Sequence, residues 1–151
     1  MQRLITAILF ATLPWVGGTA GMDSAAQTKG QFRARLSTVP IDVAMQSTVA
    51  GSGSATATLT GRKVSVTGTF DNLKSAATMA KIHVAPKGMR GPAILDLTVT
   101  PATSGTLSGE FDLTPAQVRD LTDGRFYIQL HSEKAPEGNL WGWLLPQETR
   151  R

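Results

Sequence analysis

The sequence predicts an all-β fold: an antiparallel β-sandwich or barrel of about eight short strands with one short helix. Three observations predict it. Apolar and polar residues alternate over short runs such as "QFRARLS" and "KVSVTGTF", the period of a strand with one buried face. Turns rich in glycine and proline separate these runs at hairpin length, which favours antiparallel neighbours. One segment, and one only, carries convincing start and stop signals for a helix.

The elements follow in chain order. "MQRLITAILFATLPWVGGTAG" places Arg3 before an apolar run from Leu4 to Val16, followed by small residues, the order of a secretory signal. The run is shorter than the roughly 20 residues of a spanning helix, and Pro14 interrupts it. Cleavage is expected after Ala20, or alternatively after Ala26. The expected organisation is a signal peptide at 1–20, a flexible lead-in at 21–30, one domain at 31–146 and a polar tail at 147–151. After signal removal no transmembrane segment remains, and the expected location is periplasmic or secreted.

In "QFRARLS", Phe32, Ala34 and Leu36 alternate with Arg33 and Arg35 as a first strand. Pro40 argues against a central strand in "STVPIDVAMQSTVAG", which reads as a loop or edge piece. "GSGSATATLTGRKVSVTGTFDNL" is a hairpin turning at Gly61-Arg62, with Gly68 marking a bulge or a close backbone contact. "ATMAKIHVA", "AILDLTVT" and "TLSGEFDL" are further strands, joined by "PKGMRGP" and "PATSG". Thr114 is a good N-cap, Pro115 suits the first helical position and Gln117 completes a capping box; Asp123-Gly124 ends the helix. "RFYIQLHS" puts Phe126, Ile128 and Leu130 on one face, "EKAPEGN" turns, and "LWGWLLP" is the last strand.

Composition narrows the function classes. The chain has no cysteine, which removes thiolate metal sites and cysteine nucleophiles. The formal charge is +4, and loss of Arg3 with the signal leaves +3. The basic residues are scattered without aromatic interleaving, so no nucleic-acid partner is expected. There is no Gly-x-Ser-x-Gly elbow, Ser132 adjoins His131 on the opposite strand face, and "GSGS" lacks a phosphate-loop lysine. The expectation is therefore a protein without catalytic residues.

The order and spacing of "FRARLS", "GSGSATATLTGRKVSVTGTFDNL", "AKIHVAPKGMRGPAILDL" and "GTLSGEFDLTPAQVRDLTDGRFYIQLHSEKAPEGNLWGWL" resemble the CHRD (chordin) domain family, in its bacterial secreted single-domain type. The resemblance implies an immunoglobulin-like or Greek-key β-sandwich outside the cytoplasm and no established common activity. The expected role is an exported binding or accessory module whose partner is an envelope or extracellular protein or a polymer. Where the family often has His-Ile-His, this chain has Lys81-Ile82-His83; where it often has Gly-Glu-Ile-Arg-Gly, this chain has Gly138-Asn139-Leu140-Trp141-Gly142.

Two histidines are the candidate metal ligands. His83 and His131 each follow an apolar residue and precede an Ala-Pro and a glycine. Imidazole suits copper and zinc, and those are the candidate cofactors, but two ligands fall short of a tetrahedral site. Lys81 replaces the i−2 imidazole that would complete a chelate on one strand face. The simpler reading is that each imidazole bonds a backbone carbonyl and pins a strand end. Lys81, Arg90 and Trp141 are the candidate binding surface. Trp141 and Trp143 share one face of the last strand, and that face is expected to be the buried one, because Gly142 would otherwise face the core.

Overall fold

A computed structural model describes residues 29–148. The expected signal peptide, its cleavage points at Ala20 and Ala26, most of the lead-in and the end of the tail lie outside the described residues.

Among the described residues nine strands and one helix occur in the order β1 (Lys29–Thr38), β2 (Ser52–Thr60), β3 (Lys63–Asp71), β4 (Ala77–Val84), β5 (Ala93–Val99), β6 (Gly105–Asp112), α1 (Pro115–Thr122), β7 (Phe126–Ser132), β8 (Ala135–Trp143) and β9 (Leu145–Pro146). All pairings are antiparallel, in the order β2-β3-β6-β5-β4-β7-β8-β1-β9, and β1 pairs back onto β2. Eight strands thereby close into a barrel, with β9 continuing alongside β1. β6 lies beside β3 and β7 beside β4, non-sequential pairings that make a Greek-key path.

This corrects the expected sandwich. Two strands bend across the corners where a sandwich would have open edges. β1 pairs with β2 over Lys29–Leu36 and with β8 at Ser37 and Thr38; β5 pairs with β4 up to Leu97 and with β6 at Thr98 and Val99. The two short seams, two residue pairs each, join what would otherwise be two sheets and close the barrel.

The period-two pattern explains the filling of the barrel. Phe32, Ala34 and Leu36 alternate inward from β1, as do Ala55, Ala57 and Leu59 from β2 and Phe126, Ile128 and Leu130 from β7. The Gly61-Arg62 turn joins β2 to β3 in unbroken register. Gly68 therefore marks a close contact and no bulge there: a Cβ would lie 2.6 Å from the Ser54 carbonyl oxygen. β8 begins at Ala135, earlier than the expected turn allows, leaving Glu133 and Lys134 between strands.

α1 forms where its signals stand. Thr114 Oγ1 accepts from the Gln117 N–H at 3.2 Å, and Gln117 Oε1 accepts from the Thr114 N–H at 2.9 Å. Leu121 is fully buried against the barrel, and Gly124, at φ 70°, closes the C-terminal end through the Leu121 carbonyl.

These contacts set two stabilities. Ile128→Ala, at a fully buried position, is expected to cost about 2–5 kcal/mol, and Thr114→Ala about 1 kcal/mol. Urea unfolding followed by circular dichroism checks both, and equal costs would contradict the assignment.

Candidate functional site

The outer face of β4, β7 and β8 is covered, and that cover defines the site. Burial runs through every residue of β7 except His131, which is half-buried, so both faces of the strand are packed. Cross-strand register arranges the outer side chains in rows. One row runs Asp96, Lys81, Gln129, Trp141 and Ser37; the next holds Ala93, His83, Tyr127 and Trp143. His131 stands opposite Met79, beyond the first of these rows.

Residues 85–92, the loop between β4 and β5, fold back over the second row. The loop is held mainly at its two ends. At one, the Ala85 N–H donates to the Arg125 carbonyl at 2.9 Å, and Trp143 Nε1–H donates to the Ala85 carbonyl at 3.1 Å. At the other, the Gly91 N–H donates to the Tyr127 hydroxyl oxygen at 3.0 Å, and that hydroxyl donates to the Gly91 carbonyl at 3.3 Å. The same carbonyl accepts from His83 Nδ1 at 2.8 Å. Gly91 must be glycine here, because a Cβ would fall 1.9 Å from the Val84 carbonyl oxygen.

An aromatic stack lies beneath the loop. His83 stacks on Tyr127 with ring centroids 4.9 Å apart and planes at 20°; Tyr127 meets Trp143 at 4.7 Å, and Trp143 meets Trp141 edge-on at 4.8 Å. Arg90 sits over Trp141, 5.9 Å from the ring centre, and reaches the Glu137 carbonyl at 3.4 Å.

Both tryptophans therefore stand on the outer face, contrary to the expectation from Gly142. Trp143 is buried, but by the loop above it. Gly142 does face inward, and for a steric reason: a Cβ there would come within 2.2 Å of the Arg35 carbonyl oxygen. The close approach of β8 to β1 requires the residue whose poor packing had argued against this orientation.

The two histidines play the strand-pinning part. Each Nδ1 has a carbonyl as its partner, Gly91 for His83 and Pro136 at 2.8 Å for His131, so each Nδ1 carries the proton. Each Nε2 is then a bare lone pair, buried and without a hydrogen bond. Burial pushes the His83 pKa below its ordinary 6.5; His131, Lys81 and Arg90 push the same way, against the Gly91 hydrogen bond. His83 and His131 share a face of neighbouring strands but lie two rows apart. Among the described residues no group of three or more His, Cys, Asp or Glu side chains is placed to hold a metal ion.

The other side of β8 opens onto β1. Here Arg33, Arg35 and Ser37 face Leu145, Trp143 and Trp141 across a groove of about 620 Å³, with Lys87 and Gly88 on its rim. The pairs Ser37–Trp141 and Arg33–Leu145 share one register, which sets Arg35 level with Trp143. Among the described residues no carboxylate lines the groove, and the ion pairs lie elsewhere, Lys81–Asp96 at 2.7 Å and Arg125–Asp120 at 3.1 Å.

Of the expected binding residues, Trp141 lines this groove, Arg90 covers Trp141, and Lys81 is separated from Trp141 by Gln129 and held by Asp96. Arg33, Arg35 and Lys87 were not among the expected binding residues, since the basic residues read as scattered. The readable signal was the matched i, i+2 spacing of Arg33-x-Arg35 and Trp141-x-Trp143, although their pairing is visible only in the fold.

A family model described as CHRD domain matches residues 32–144. No curated protein and no solved structure gives a significant match.

The His83 latch makes stability depend on pH. Its pKa is lower in the folded chain than in the unfolded one, so the unfolded state takes up the proton first. The contribution of neutral His83 is full above 6.5 and is lost as pH falls from there towards the folded value. The stability gap between the wild type and His83→Gln should narrow from about pH 7.5 to about pH 5 in urea titrations. A constant gap would show that His83 does not titrate against folding.

Proposed function

The chain belongs to the CHRD domain family, and we propose that it is an exported module that acts by binding, without catalysis, through the groove between β1 and β8. One observation carries this reading: three cations without a described carboxylate partner face two outward tryptophans across an open groove. The fold alone supports no activity, so the reading rests on the groove. Tryptophan and arginine contribute disproportionately to binding energy, and a groove of this volume is within the range of ligand sites. Each barrel strand has a paired neighbour on either side, with two residue pairs at each of the β1–β8 and β5–β6 seams. The partner is an envelope or extracellular protein, or a polymer, that presents anionic groups, and the module works in the periplasm or outside the cell.

Capture of the native partner from envelope extract tests the reading. Arg33→Ser with Arg35→Ser, or Trp141→Ala, should reduce recovery about tenfold or more while leaving the circular dichroism spectrum unchanged. Equal recovery by the wild type and both variants would move the binding face elsewhere.

A second reading, periplasmic handling of copper ahead of zinc through His83 and His131, draws on their two buried, unpartnered Nε2 atoms. Calorimetric titration with Cu(II) and Zn(II) decides it: binding by the wild type that is lost in His83→Ala and in His131→Ala supports it. Absence of heat, or equal weak binding by all three proteins, removes it.

A further inference from the structure

Beside the groove the fold also exposes apolar side chains. Five large hydrophobic residues are exposed among the described residues: Ile41, Val43, Met79, Met89 and Leu145. Leu145 lines the groove. Met89 lies between Gly88 on the groove rim and Arg90 over Trp141, on a turn closed by its N–H to the Pro86 carbonyl at 3.0 Å. Ile41 and Val43 belong to the loop after β1, where the Met45 N–H bonds the Asp42 carbonyl at 3.2 Å and Asp42 Oδ1 at 3.0 Å. Met45 and Trp141 both pack against Val39, Val49 and Ala135. The loop after β1 and Trp141 thus share one small cluster, and Val43 is 83% and Met89 58% exposed.

We propose that this face docks onto an anionic lipid bilayer, with Val43 and Met89 entering the interfacial zone and Arg33, Arg35, Lys87 and Arg90 meeting lipid phosphates. This goes beyond the protein or polymer partner above, but it rests on the same reading of the β1–β8 face as the working face. Charge complementarity alone would suit a hydrated acidic polymer equally well. The apolar tips decide between them: a polymer in water leaves Val43 and Met89 solvated, whereas a bilayer interface removes them from water while its headgroups satisfy the cations beside them. Short polar-apolar turns held by a rigid barrel enter such an interface with little loss of conformational freedom. The loop carrying Lys87, Met89 and Arg90 is held at Gly91 and Ala85, so its tip is presented in one orientation.

Cosedimentation of the protein, purified after export, tests the proposal with vesicles of phosphatidylcholine alone and with about one third phosphatidylglycerol. Binding should need phosphatidylglycerol, weaken with salt, and fall about thirty-fold in Arg33→Ser with Arg35→Ser. Val43→Ser with Met89→Ser leaves the charge unchanged and should also weaken binding severalfold, with loss of tryptophan quenching by brominated lipid. Circular dichroism of each variant separates misfolding from lost binding. Two outcomes overturn the proposal. One is vesicle binding indifferent to Val43 and Met89, which is adsorption by charge alone. The other is binding to soluble polygalacturonate without vesicle binding, which assigns the groove to an acidic polymer. Either outcome leaves the groove reading standing, whereas groove variants that keep both vesicle and partner binding would remove that reading too.

Discussion

The Gly91 backbone is the contact on which the site depends. Its N–H and C=O are both used by one phenol, and the C=O is used again by one imidazole. A net hydrogen bond contributes only about 1 kcal/mol, but leaving the Tyr127 hydroxyl or the Gly91 N–H unpaired under the loop would cost more. Satisfying these groups holds residues 85–92 down, and the loop then buries Trp143 and Tyr127. Burial by the loop makes an outer sheet face behave as a second core. Lys87 on the groove rim and Arg90 over Trp141 take their places from the same constraint.

Closure of the barrel adds a second constraint, and the two meet at Gly142. The corner where β1 passes from β2 to β8 brings the Arg35 carbonyl against β8, and only glycine leaves room. With Gly142 inward, strand alternation forces Trp141 and Trp143 outward. The groove therefore follows from the tight seam: Arg33 and Arg35 point outward on one side of it because Phe32, Ala34 and Leu36 fill the barrel, and the indoles point outward on the other side.

This explains what could be read in advance. The hairpin of β2 and β3 and the capped helix were legible because their signals are local: a two-residue turn, an N-cap, a capping box, a glycine stop. Alternation identified the inward residues of β1 and β7. Barrel closure left no such signal, because a strand that bends from one partner to another keeps the same side-chain period. The outer-face burial of Tyr127, Gln129 and Trp143 was also hidden, since a strand packed on both faces can be told from an alternating one only when its cover is known. Arg33 and Arg35 looked like ordinary solvent-facing charges for the same reason.

The histidine echo has a physical account that joins the two readings of it. His83 and His131 both spend Nδ1–H on a backbone carbonyl, Gly91 in the loop after β4 for one and Pro136 in β8 for the other, which is what makes the strand ends alike. That bond leaves Nε2 as the free ligand atom on each ring, and both Nε2 atoms are buried. A metal ion at His83 would have to reach a nitrogen closed off by the surrounding packing, with the Lys81 ammonium in the adjacent row repelling it. Ligation there therefore competes with the packing that keeps the loop latched, and the loop carries Arg90 and Lys87. Lys81 itself is drawn to Asp96 across β4 and β5, so the residue that stands where a second imidazole would complete a chelate instead ties those two strands together. The position carries a cross-strand ion pair, and His83 holds the loop.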